Sequence, residues 1–200
     1  MPKSATRIQQ KNQAAIMTAG LEVFSQFGFR GSTLDQVADA AGLSKPNLLY
    51  YFPSKDAIYT ALLARLLENW LEPLHQMNDA GDPVEEILGY ANRKLTMSRD
   101  FPRESRLFAN EILQGAPRIK DVLAGELRAL VEAKATVIKR WIAEGKIKPV
   151  DPVHLIFSIW SLTQHYADFD VQVRAILGDT DPFDTAETHL NDVFRRLLTP

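Results

Sequence analysis

The sequence predicts an all-α fold, with short helices at the front and long ones behind. Three observations carry that expectation. Apolar residues recur at the i, i+3, i+4 spacing of one helical face. No stretch alternates apolar and polar residues as a half-buried strand does, and no Asn-Gly hairpin occurs. Turn signals at "AGDP" (80–83), "DFPR" (100–103), "QGAP" (114–117), "EGKIKP" (144–149) and "GDTDP" (178–182) cut the rear into five pieces of helical length. With 46% hydrophobic and 24% charged residues, the 200-residue chain has ordinary globular composition and can bury a sizeable core.

Each front element follows from its residues. Ile16, Ala19, Gly20, Val23, Phe24 and Phe27 line one helical face, and Gly28 stops that helix. Leu34, Val37, Ala38 and Ala41 form a shorter stripe. Thr33 and Gln36 before it have capping-box spacing, and Gly42 ends it. Ser44 caps a third helix with Pro46 in its first turn, where the missing N–H has no intrahelical partner to lose. Pro53 closes it, and Ser54 caps a fourth helix running to about Met77. A boundary near residue 55 therefore separates domains 1–55 and 56–200, with the fourth helix joining both.

Composition excludes several classes. The chain has no cysteine, hence no disulfide framework, thiolate nucleophile or cysteine metal site. No apolar run reaches the ~20 residues of a membrane span. The N-terminal "MPKSATRIQQKNQ" lacks the apolar core of a secretory signal, so a cytoplasmic location is expected. There is no G-x-S-x-G elbow and no glycine-rich phosphate loop. His75, His154, His165 and His189 have no close metal-ligand spacing, so neither an enzyme nor a cofactor is expected. Net charge is -2, but residues 1–65 hold seven Lys/Arg against four Asp/Glu, while the remainder is acidic. A basic front and an acidic rear suit different partners.

Two short helices around "AAGLS" (40–44) have the spacing of a helix-turn-helix, whose second helix meets base edges with its N-terminal residues. Leu48 and Phe52 can face the core, leaving Lys45, Pro46, Asn47 and Tyr51 on or near the outside. Lysine can donate to guanine or phosphate, and asparagine can read adenine. Thr33 and Lys55, at flanking helix starts, are placed for phosphates. An αα-turn of this kind also occurs as plain packing. A helical ligand-binding or dimerisation module is therefore the alternative.

In the rear, "HLIFSIWSLTQHYADF" (154–169) is apolar almost all round, which implies burial on more than one side. "AETHLNDVFRRLL" (186–198) carries a stripe of Leu190, Val193, Phe194 and Leu197. These last two helices are the expected interface of a homodimer, the symmetric arrangement that pairs two DNA readers. Thr163, Gln164, His165 and Asp168 lie within the apolar stretch and need partners. Gln164 could bond across the dimer or to backbone. It could equally offer an acceptor and two donors to a planar polar ligand such as a pyrimidine base, with Trp70, Trp160 and Phe108 as apolar walls or as plain core.

Residues 12–60 resemble the DNA-binding region of the TetR family of bacterial regulators. The resemblance lies in F-x-x-x-G, T-x-x-x-[VI]-A, G-[LV]-S and Y-F-x-[SN]-K, met here in "VFSQFG", "TLDQVA", "GLS" and "YFPSK". It implies DNA reading by the region of Ser44, Lys45, Pro46, Asn47, Tyr50 and Tyr51, with Thr33 and Lys55 toward phosphates. The wider family often carries an aromatic at the position of Leu49. Nearly the whole chain, above all "DPVHLIFSIWSLTQHYADF", is similar to the pyrimidine-utilisation regulators of that family. That similarity implies a homodimer, a palindromic double-stranded operator and an effector such as uracil or thymine held by Trp70 and Gln164. The operator, the controlled genes and the choice between repression and activation are not legible in the residues.

Overall fold

The order of elements follows the turn signals. The structure is a computed structural model, and it describes residues 7–200. Lys3, counted in the basic front, lies outside the described residues. Helices are α1 (Arg7–Gly31), α2 (Leu34–Ala40), α3 (Lys45–Tyr51), α4 (Lys55–His75), α5 (Pro83–Asp100) and α6 (Pro102–Leu113). A short α7 (Lys120–Val122) passes through a π-helical turn, Leu123–Leu127, into α8 (Arg128–Ala143). Then come α9 (Pro152–Asp168), α10 (Asp170–Leu177) and α11 (Phe183–Leu198). No helix among the described residues is long and apolar enough to cross a membrane.

The described chain divides into two compact units, residues up to 67 with 106–119, and residues 68–105 with 120–200. The division falls after Leu67 rather than near residue 55, and the first unit takes in most of α6. The reason is packing. The opening turns of α4 bury Ile58, Tyr59, Leu62 and Leu63. A Cβ added to Gly20 of α1 would stand 2.9 Å from Ile58 Cγ2, so only glycine lets the two helices approach this closely. Arg118, beyond α6, lies 3.8 Å over the Phe29 ring and pairs with Asp56 at 2.7 Å. Both helices α4 and α6 thus run from one unit into the other.

In the first unit, Ile16, Ala19, Gly20, Val23 and Phe24 are buried along α1 as expected. Phe27, placed on that face by spacing, is instead 45% exposed. Gly28 is the cause. Its φ of 68° breaks the helical path and turns the next residues, so Phe29 takes the aromatic place, against Phe24 and Tyr59. In the second unit α5 packs on α9 and α11, burying Ile87, Leu88, Ala91 and Leu95. The 152–177 stretch, read as one helical segment, is two helices that meet at Phe169, whose backbone leaves the helical region.

Candidate functional site

The reader begins at two caps. Thr33 Oγ1 accepts from the Gln36 N–H at 3.2 Å, and the Thr33 N–H donates to Gln36 Oε1 at 2.8 Å, completing the capping box of α2. Ser44 caps α3, with its Oγ 3.4 Å from the Asn47 N–H donor. Leu48 is fully buried and anchors α3 on the core side. Thr33, Ser44, Lys45, Pro46, Asn47 and Tyr50 are all exposed around these two helix starts. The Lys45 ammonium pairs with Asp35 on α2 at 2.9 Å, with both side chains largely in water. Such a pair contributes about 1 kcal/mol at most, so it is easily broken.

The adjacent tyrosines part company. Tyr50 is 71% exposed, with its hydroxyl 3.4 Å from Gln9 Nε2. Tyr51, expected on the outward side, is half-buried, and its hydroxyl accepts from Asn12 Nδ2 at 2.9 Å. Roughly 100° per residue separates their directions around the axis. Lys55 also turns inward. Its ammonium donates to the carbonyls of Phe29 at 2.6 Å and Ser32 at 2.7 Å, closing the end of α1. That corrects the expectation of a phosphate contact, since two of its three donors are spent on backbone. Leu49 is 38% exposed beside Tyr50, so an apolar surface stands where the wider family often has an aromatic.

The first unit holds a buried acid that spacing did not reveal. Glu111 is 1% exposed and accepts from the Arg118 backbone N–H at 3.0 Å and from Arg118 Nη1 at 3.2 Å. Burial, then the Glu111 charge, pushes the Tyr59 hydroxyl up to about 12.

In the second unit, an open groove of about 620 Å³ runs along α9, lined by Phe157, Trp160, Ser161, Gln164, Asp168 and their neighbours. Gln164 and Trp160 both line this groove, and both are half-buried. The Trp160 indole N–H donates to the Tyr90 hydroxyl at 2.6 Å, which locks the ring in orientation. Thr163 is fully buried and satisfies itself on the Ile159 carbonyl at 2.7 Å. His165, expected among the buried polar residues, is exposed. Asp168 accepts a hydrogen bond from the Ser105 hydroxyl.

Trp70 does not line this groove. It is 6% exposed and meets the Lys94 ammonium, 3.9 Å from its ring centre. Lys94 is itself buried. Burial pushes its ammonium down to about 7, against a smaller opposing pull from Asp168. Trp70 and Lys94 are therefore neighbours, and neither lines the groove. Phe108 is half-buried and belongs to the first compact unit. Lys94 was missed by the sequence reading. Its signal was available, because it falls at i+3 from Ala91 and four before Ser98 on the apolar face of α5.

Two family descriptions together match residues 16–200. "Bacterial regulatory proteins, tetR family" covers residues 16–62, and "YcdC-like protein, C-terminal region" covers residues 63–200. The chain belongs to the TetR family. It is 50% identical over 175 residues to the HTH-type transcriptional regulator RutR of Escherichia coli K12, covering 88% of this chain and 82% of that protein. A regulator named YhgD of Bacillus subtilis is 24% identical over 141 residues, covering 68% of this chain and 72% of that protein. Among solved structures, a putative transcriptional regulator, SCO4942, from Streptomyces coelicolor superposes with a TM-score of 0.75 at 24% identity. It covers 94% of this chain and 98% of its own. The structure of AibR with isovaleryl coenzyme A and operator DNA shares the fold with a TM-score of 0.64 at 18% identity, covering 78% of this chain and 85% of its own. As a TetR-family member, the protein is a transcriptional regulator and not an enzyme.

Proposed function

We propose that this TetR-family regulator is a homodimer that binds a palindromic operator and loses affinity for it when a small pyrimidine, uracil or thymine, binds in the second unit. The observation that carries the pyrimidine reading is Gln164. It is half-buried in a groove whose aromatic wall, Trp160, is held in place by Tyr90. A primary amide offers one acceptor and two donors, the complement of the alternating N–H and C=O edge of uracil. The similarity to pyrimidine-utilisation regulators supports the same choice and brings in Trp70.

DNA reading rests on the exposed set Thr33, Ser44, Lys45, Pro46, Asn47 and Tyr50. Tyr51 supports it from behind by tying α3 to α1 through Asn12. The dimer rests on α9 and α11. Leu190 and Phe194 are spent on the chain's own core. Phe157, Leu162 and Leu197 remain 43%, 37% and 42% exposed, an apolar surface that a second copy would cover.

Two helices are able to transmit the effector's presence. α4 carries Trp70 at one end and Asp56, the partner of Arg118, at the other. α6 carries Ser105, bonded to Asp168, and Glu111, bonded to Arg118. The effector must bind the two states unequally to move the readers.

Calorimetric titration with uracil, thymine, dihydrouracil and cytosine tests this reading. Uracil or thymine is expected to bind selectively, and cytosine to be rejected because it swaps a donor and an acceptor on its ring edge. Gln164→Ala should abolish the effector response and keep operator binding. A normal response in that variant would place the pocket elsewhere. Operator affinity that fell with salt would mark phosphate contacts, and salt-independent behaviour would refute a DNA role.

A further inference from the structure

An acid is paired with the first residue of the reading helix. DNA is a polyanion, so a carboxylate beside the residues that meet it works against binding unless it has a use there. Asp35 is such a residue. It stands in the first turn of α2, its side chain is 64% exposed, and its carboxylate accepts from the Lys45 ammonium of α3 at 2.9 Å. The start of α2 does not depend on it for capping, because Thr33 Oγ1 and Gln36 Oε1 already close the capping box. Nor does burial demand the pair. The Lys45 side chain is 45% exposed, and an ion pair so open adds little stability. What remains is the shape of the pair, a donor-only ammonium and an acceptor-only carboxylate side by side at one edge of the reader.

A base pair presents the complement of that arrangement. In the major groove a G·C pair shows guanine N7 and O6, both acceptors, next to the cytosine N4 amino group, a donor. O6 and N4 are hydrogen-bonded to each other and so lie ~3 Å apart, which matches the 2.9 Å between the Lys45 and Asp35 heads. We propose that Lys45 and Asp35 act as one unit that reads a single G·C pair in each operator half-site. The ammonium donates to guanine O6 and N7, and the carboxylate accepts from cytosine N4. Orientation is selected too, because inverting the pair sets the carboxylate against two acceptors. A T·A pair offers thymine O4 beside adenine N6, but it puts the thymine methyl next to the ammonium and adenine N7 next to the carboxylate. This assignment rests on the DNA reading proposed above. It adds Asp35, on the helix before the reading helix, as a specificity-determining residue.

The experiment is selection of binding sites from a random duplex library by the full-length wild type, Asp35→Ala, Lys45→Ala and Asp39→Ala. Affinities for the selected duplex and its single-pair substitutions follow. Asp35 and Lys45 are exposed, so neither replacement should disturb folding. The wild type should require G·C at one position of each half-site and lose about tenfold in affinity when that pair is inverted or replaced by T·A. Asp35→Ala and Lys45→Ala should both reduce the preference at that same position to about twofold or less and keep the preferences elsewhere. Asp39, also exposed on α2, controls for charge alone, and its replacement should leave the sequence profile as it is. An unchanged profile in Asp35→Ala overturns the unit, and a uniform gain in affinity there would make Asp35 a plain brake on Lys45. Relaxation at different positions in the two variants, or at the same position in Asp39→Ala, overturns it as well. A wild type that enriches no sequence overturns the DNA reading itself, and the unit with it.

Discussion

Among the described residues each compact unit buries one charged side chain, and the two are treated in opposite ways. Glu111 in the first unit is surrounded by donors, the Arg118 N–H and guanidinium and the Tyr59 hydroxyl. Arg118 is itself stacked on Phe29 and paired to Asp56. Lys94 in the second unit has the Trp70 ring against its ammonium and feels the Asp168 charge. A buried charge ringed by donors specifies a packing arrangement, whereas a buried ammonium set against an aromatic ring is held near neutrality by desolvation. The difference separates an ion-paired clamp from a desolvated ammonium, although both residues look alike as isolated polar letters in helical segments.

The largest test of that contrast is to break the clamp. Glu111→Ala leaves the Arg118 amide and guanidinium without their buried acceptor. It should destabilise the protein by about 3 kcal/mol in chemical denaturation. A loss below about 1 kcal/mol would mean that Asp56 and solvent replace Glu111, and the contrast would weaken.

The next test uses pH. Lys94 takes its proton near 7 when folded and near 10.5 when unfolded. Between those values the unfolded chain holds more protons, so stability contributed by this residue rises with pH from about 7 and levels off near 10.5. Below 7 the ammonium is charged in both states and its cost is constant. The slope approaches about 1.4 kcal/mol per pH unit. Denaturation midpoints at pH 7 and 9 should therefore separate more for wild type than for Lys94→Met. Equal separation would show that Lys94 is better solvated than its burial implies.

The smallest expected effect sharpens the comparison within the first unit. Tyr51→Phe removes the acceptor of Asn12 and should cost about 1 kcal/mol of stability. Tyr50→Phe should leave stability unchanged, because that hydroxyl is exposed. Tyr50→Ala should instead lower operator affinity at unchanged melting temperature. The reverse pattern in melting and gel-shift measurements would exchange the roles assigned to the two tyrosines.

Local chemistry was readable in advance. The caps at Thr33, Ser44 and Ser54, the turn positions, the burial of Leu48 and the placement of Lys45, Pro46 and Asn47 outward all depend on residues a turn or less apart. Helical spacing and side-chain hydrogen bonding determine them before any tertiary contact forms. Family motifs in the same short windows were legible for the same reason.

What escaped the sequence depends on partners far along the chain. Lys55 spans 23 residues to the Ser32 carbonyl, Tyr51 spans 39 to Asn12, and Asp168 spans 63 to Ser105. Spacing placed Lys55 and Tyr51 toward DNA because it sees direction from one helix axis and not which neighbour occupies that direction. Lys94 lay on a readable apolar face, but its state depends on what packs around it, since burial desolvates the ammonium and nothing nearby in sequence reports that. Helical periodicity assigns a residue to a side of its own helix. Only the folded chain sets the Trp70 ring of one helix against the Lys94 ammonium of another and brings the Asp168 charge of a third to bear on it.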